Sequence, residues 1–152
     1  MNSPYENCMV EYWDAITQQL LNKHPLMEDE IVEVVLDAWD SIMHTKIGGK
    51  LQIGVDVFPS PQNMGNYLHM LIPAILAERY PGIWRGEIDK SDKDVVYIPD
   101  DTYSIEIKTS SQNSIYGNRS YGQENSDNNS GKQKFGFYLA VNFEKFTPTN
   151  TH

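Results

Sequence analysis

Only one cysteine, Cys8, occurs in the chain, which excludes an internal disulfide and suits a reducing cytoplasm. No apolar run approaches the roughly 20 residues of a membrane-spanning helix. The start, Met1 to Glu6, has neither the basic flank nor the apolar core of a signal peptide. There is no glycine-rich phosphate loop, no GxSxG elbow and no HExxH helix, so nucleotide hydrolases, serine esterases and zinc proteases lack support. His24, His44 and His152 show no zinc spacing with one another or with Cys8. No internal repeat is present. Basic residues are also few, 12 against 21 acids, for a net charge of −9. Phosphate-binding proteins usually carry a basic footprint, so this balance counts against a nucleic-acid partner. Its distribution weakens that objection. Residues 1–45 hold nine acids and one base (−8), which leaves twelve acids and eleven bases (−1) for residues 46–152.

What remains is an ordinary globular composition. With 39% hydrophobic and 11% aromatic residues, 152 residues suit one domain, 1–152, with one core. Tyr5, Met9, Trp13, Ile16 and Leu20 recur at spacings of three and four and predict a helix over 5–22, ended by Pro25. Ile31, Val34, Val35, Ala38 and Ile42 predict a second over 28–44, opened by Glu28, Asp29 and Glu30 and stopped by Gly48-Gly49. Leu51, Ile53, Val55 and Val57 alternate with Gln52, Gly54 and Asp56, as in a strand or extended arm closed by Pro59-Ser60-Pro61. Met64, Leu68, Leu71 and Ile75 predict a helix over 63–79, with a kink at Pro73 and an exit at Pro81-Gly82. Residues 83–89 read as a strand and 94–109 as a hairpin. Residues 110–134, rich in Ser, Asn, Gly and Gln, read as a long loop, and the apolar run Phe135–Phe143 as a strand covered on both faces. The fold class is α/β: a sheet core over 50–146 behind an acidic helical segment over 1–45. Trp13, Trp39 and Trp84 are expected in the core.

The hairpin carries the chemistry. On its second strand Glu106 and Lys108 share a face, because side chains alternate. Asp94, at the start of the first strand, joins them only if the register pairs it near Glu106 or Lys108. That parity requires a turn with an odd number of residues, or a bulge, and predicts three or five. Two carboxylates and an ammonium on one hairpin suit phosphodiester hydrolysis. Mg²⁺ takes one or two carboxylates plus waters and substrate oxygens. Asp94 and Glu106 would be its ligands, with the carbonyl of Ile107 as a third. Lys108 would orient the attacking water or stabilise developing charge. A carboxylate-x-Lys alone is common on solvated strands. The upstream acid and the flanking elements make it a candidate site.

Several stretches carry a family likeness: Ile53–Gln62, Leu68–Pro73, Arg79–Arg85, Asp92–Asp101, Ser104–Ser111, Gly117–Tyr121 and Tyr138–Phe146. Together they resemble the PD-(D/E)xK nuclease superfamily, and within it the ScaI family of type II restriction endonucleases. The resemblance implies a restriction-endonuclease-like mixed β-sheet flanked by helices. It also implies Asp94, Glu106 and Lys108 as the catalytic residues, and Mg²⁺-dependent cleavage of both DNA strands at a short palindrome. The enzyme would be a cytoplasmic homodimer paired with a protecting DNA methyltransferase. Members of the family look longer after the strand ending in Asn142-Phe143, so a shortened relative is expected here. Met70 stands where such nucleases often aim a helix acid at the metal, with Glu78 or Glu87 as substitutes.

Asn118, Arg119 and Gln123 are side-chain types that read base edges, though a plain glycine turn explains them too. Lys132 and Lys134 could touch phosphates or only aid solubility. His69 reads as a hydrogen-bonded core histidine before a ligand. Rival readings are a repair or junction nuclease on the same scaffold, and a catalytically impaired nuclease fold that still dimerises or binds DNA. A more distant one is an acidic module using residues 1–45 to bind a basic protein.

Overall fold

The computed structural model describes residues 3–114 and 135–147. Its described part is mixed α/β, with three α-helices, a mixed four-stranded sheet and a small antiparallel pair. In chain order these are α1 (Trp13–Lys23), α2 (Glu28–Met43), β1 (Lys46–Ile47), β2 (Leu51–Gln52), α3 (Pro61–Arg79), β3 (Trp84–Gly86), β4 (Val95–Tyr97), β5 (Ile105–Ser110) and β6 (Phe137–Asn142). No helix among the described residues is long and apolar enough to cross a membrane.

The first helix starts later than its periodicity suggests. Asn7 sits in the left-handed region (φ 62°), which asparagine tolerates, and one 3-10 turn, Val10–Tyr12, precedes α1. The aromatic stripe still closes, with Tyr5 edge-on to Trp13 and the Tyr5 hydroxyl 2.8 Å from that of Thr17. Yet α1 buries none of its residues, and Trp13 is exposed rather than in the core. A shallow hollow of about 520 Å³ is lined by Ser3, Tyr5, Glu6, Trp13 and Thr17, and it shares no residue with the hairpin. α2 buries Val34, Ala38 and Ile42, successive positions of an i, i+4 stripe, as expected.

Gly48 and Gly49, both at positive φ, form the turn between β1 and β2 rather than merely stopping a helix. The alternation from Leu51 to Val57 gives only two strand residues. Asp56 accepts a hydrogen bond from the Gln52 N–H and folds 53–57 into a turn around Gly54 (φ 81°). Ser60 caps α3 by accepting from the Asn63 N–H, and Pro61 occupies its first turn. α3 runs on through Pro73. It buries Met64, Leu68, Ile72 and Leu76, while Leu71 and Ile75 are only partly buried. At the α2–α3 seam, Arg79 lies 3.7 Å from Glu33 and 3.6 Å from Asp37, and the Tyr80 hydroxyl donates to Glu30.

The sheet runs β3-β4-β5-β6, antiparallel except for the parallel β5–β6 pair. A parallel pair cannot be joined by a tight turn, which explains the long connection after β5. α3 covers one face. A Cβ on Gly65 would fall 2.6 Å from the Thr109 hydroxyl in β5, and one on Gly86 in β3 would fall 3.5 Å from Pro73. Ile105 and Ile107 point to that covered face and are buried. The opposite face is open along β6, where Tyr138, Ala140 and Asn142 are exposed, so this strand is not covered on both sides as its apolar run suggested. Trp84 is buried and Trp39 partly so.

Candidate active site

Seven residues, 98–104, join β4 to β5, longer than the predicted three or five. The excess is organised. Asp101–Tyr103 form a 3-10 turn, Asp100 caps it by accepting from the Thr102 N–H, and Ser104 donates to Asp101 while accepting from the Tyr97 N–H. The number is odd, as the parity argument requires. Val95 pairs with Ile105, and one further step of that register sets Asp94 across from Glu106.

Strand pairing ends there, and the Asp94 side chain takes over. Its Oδ2 accepts from the Ile107 N–H at 2.7 Å, so the carboxylate lies near the plane of the sheet. In a strand the N–H and C=O of one residue point to the same edge. The Ser110 carbonyl bonds the Phe143 N–H on the β6 side, so the odd-numbered carbonyls face β4. The Ile107 carbonyl therefore opens to the β4 edge, as does the Ile107 N–H that Asp94 accepts from. Glu106 and Lys108 sit on the face opposite Ile105 and Ile107, with Lys108 Nζ 3.5 Å from Glu106 Oε1. Their side chains, with that of Asp94, are mostly shielded: 12% exposed for Glu106, 27% for Lys108 and 15% for Asp94.

Neighbouring groups brace the entry to β4. Asp92 pairs with Arg85 at 2.8 Å and also accepts from the Ile88 and Asp89 N–H groups. The Arg85 hydrogen bond, then those two amides, hold its carboxyl well below the usual carboxylate range. Lys93 is buried, and its ammonium donates to the Phe135 carbonyl at 2.8 Å, where the chain enters β6. Burial lowers its pKa, partly offset by Asp101 and Glu106. Gly136, at φ 136°, leaves room for it, since a Cβ there would overlap the Lys93 ammonium.

His69 is the residue that sequence reasoning misplaced. It is half-exposed, with Nδ1 3.6 Å from Asp94 Oδ1. Met70, one position on and so about 100° around the helix, is 60% exposed. Glu78 and Glu87 are exposed too. The signal was available in Gly65, His69 and Pro73, spaced by four, whose flanking members both meet the sheet. The buried histidine is instead His24. A carbonyl only accepts, so its Nε2 carries the proton bonded to the Tyr103 carbonyl, and Nδ1 accepts from the Leu26 N–H. Trp84, Tyr103 and Phe137 surround its ring.

No group of three or more His, Cys, Asp or Glu among the described residues is arranged to hold a metal. Asp94 and Glu106 offer two carboxylates, fewer than such a group, and the Ile107 carbonyl opens to the same edge of β5 as the amide that Asp94 accepts from. Two carboxylates and one carbonyl make a hard, incomplete donor set, which suits a cation that keeps several waters, as Mg²⁺ does. Asn118, Arg119, Gln123, Lys132 and Lys134 lie outside the described residues. The flanks of that segment are tied down, by Asn142 donating to the Gln112 carbonyl on one side and by Lys93 on the other.

The family model of the ScaI restriction endonuclease matches residues 3–152. The chain is 47% identical over 147 residues to the type II restriction enzyme ScaI of Streptomyces caespitosus, covering 96% of this chain and 64% of that enzyme. It thus spans slightly under two thirds of the length of the curated relative it matches. No solved structure gives a significant match.

Proposed function

The chain belongs to the ScaI restriction endonuclease family, and from that premise we propose that it is a type II restriction endonuclease. In this reading it hydrolyses phosphodiester bonds of double-stranded DNA at a specific site with Mg²⁺. The observation that carries the proposal is the β4–β5 register, which sets Asp94 across from Glu106, with the Asp94 carboxylate bonded to the Ile107 amide and Lys108 3.5 Å from Glu106. Asp94, Glu106 and the Ile107 carbonyl would hold the cation. When bound, Mg²⁺ acidifies a water and offsets charge on the scissile phosphate. The Ile107 amide fixes Asp94 before any ligand arrives. The Lys108 ammonium donates to the attacking water and stabilises charge on the phosphate oxygens. DNA approaches the open sheet face, in the part of the chain that is nearly neutral (−1 over residues 46–152) rather than the acidic first 45 residues.

Asn118, Arg119 and Gln123 read base edges and Lys132 and Lys134 contact phosphates. Two copies act on a palindrome, and a methyltransferase protects the host site. The similarity to a type II restriction enzyme favours this reading over a junction nuclease.

Plasmid digestion with Mg²⁺ tests the proposal. Discrete fragments are expected from the parent chain, with losses of at least about 100-fold in Glu106→Ala and Lys108→Ala. Gel retardation without cleavage would make the chain a DNA-binding nuclease fold without catalysis. The absence of both cleavage and retardation would overturn the reading.

A further inference from the structure

We infer that His69 is a positioning residue that sets the orientation of the Asp94 carboxylate; this rests on Asp94 being a metal ligand. The helix geometry brings it there. Gly65 of α3 lies against Thr109 in β5, and Pro73 lies against Gly86 in β3. β4 runs between those two strands, and His69 lies midway between those two helix positions. The i, i+4 stripe of α3 therefore crosses the sheet from β5 to β3, with His69 over the line of β4. What it meets there is Asp94, the residue just before that strand. Small or compact residues on either side allow the helix to sit close enough for the imidazole to reach. Pro73 also lacks the N–H that would bond the His69 carbonyl, which frees the backbone at this turn to adjust.

The Asp94 carboxylate is thus addressed from two directions. Oδ2 is tied to the Ile107 amide at 2.7 Å, and Oδ1 faces the imidazole at 3.6 Å. At that separation the second contact is an electrostatic guide and not a closed hydrogen bond. A polar group facing Oδ1, beside an amide bonded to Oδ2, restricts the rotation of the carboxylate. Imidazole nitrogen is a poor partner for a hard cation, so His69 acts through Asp94 and not as a ligand. Outer partners of this kind typically account for 10–100-fold in metal affinity.

Mn²⁺ titration followed by electron paramagnetic resonance reads this without any DNA. The 152-residue chain is compared with His69→Ala, His69→Asn and Asp94→Ala, with thermal unfolding of each recorded in the absence of metal. The inference predicts about tenfold weaker Mn²⁺ binding in His69→Ala. It predicts recovery to within about threefold in His69→Asn, whose amide can take the place of Nδ1, and no binding at this site in Asp94→Ala. If His69→Ala binds as the parent does while Asp94→Ala does not, the role of His69 is overturned and the metal site stands. If Asp94→Ala also binds as the parent does, the metal-site reading fails first. Lowered thermal stability in His69→Ala with unchanged affinity would make the residue structural and likewise overturn the inference.

Discussion

The acids of α2 and the acids of the β4–β5 hairpin have the same chemistry in opposite surroundings. Glu33 and Asp37 expose 71% and 53% of their side chains and meet Arg79 only at 3.6–3.7 Å. Asp94 and Glu106 expose 15% and 12%. Asp94 is bonded to the Ile107 amide of the neighbouring strand. The first pair is solvated surface, where an ion pair contributes at most about 1 kcal/mol. The second is a shielded, pre-set arrangement in which charge interacts more strongly than in water. A count of acids would have pointed to residues 1–45, whereas burial and backbone bonding point to the hairpin.

The sharpest way to break that contrast is to neutralise one acid in each region. Asp94→Asn should lower Mg²⁺-dependent DNA cleavage on the order of 1000-fold, while Asp37→Asn should leave it within about twofold. Equal losses in initial-rate assays would erase the distinction. A second contrast concerns packing. Leu68→Ala in α3 removes a fully buried side chain and should cost about 3 kcal/mol by urea denaturation. Ile16→Ala in α1, a helix with no buried residue, should cost under about 1 kcal/mol. Comparable values would mean that α1 is part of the core.

A third contrast, smaller than that of Leu68→Ala, lies beside the hairpin. Asp92→Asn loses the charge that binds Arg85 and should cost about 2 kcal/mol at neutral pH. The Asp92 pKa is depressed in the folded state, so its contribution is present above the ordinary carboxylate value, near 4. It is lost as pH falls through the lower folded value. The stability gap between parent and variant should therefore be constant above about pH 5 and shrink below about pH 4. A gap that persists unchanged into strong acid would contradict the Arg85–Asp92 account.

Much of this was legible in the residues. The 3.6-residue pattern of α2 and the parity of the hairpin were both readable, because each follows from repetition along one element. Cooperation between elements was not. The extra length of the β4–β5 turn depends on Ser104 and Asp101 bonding each other and the strand end. The buried, hydrogen-bonded place expected for His69 belongs to His24, for which the sequence suggested no role. Which histidine meets aromatic rings and which meets Asp94 is decided by how α3 crosses the sheet, and a helical wheel alone does not show that. The strand expected over 51–57 failed because Asp56 bonds the Gln52 amide and turns the chain, a local competition that alternation does not register.

The central claim is that two acids far apart in sequence, Asp94 and Glu106, converge on one divalent cation. Anomalous diffraction from crystals of the chain soaked in Mn²⁺ tests it most directly. The account predicts a peak within roughly 2.0–2.5 Å of a carboxylate oxygen of each, about one metal–oxygen bond from both. A peak bound to only one of them, or found solely among the acids of α2, would contradict it.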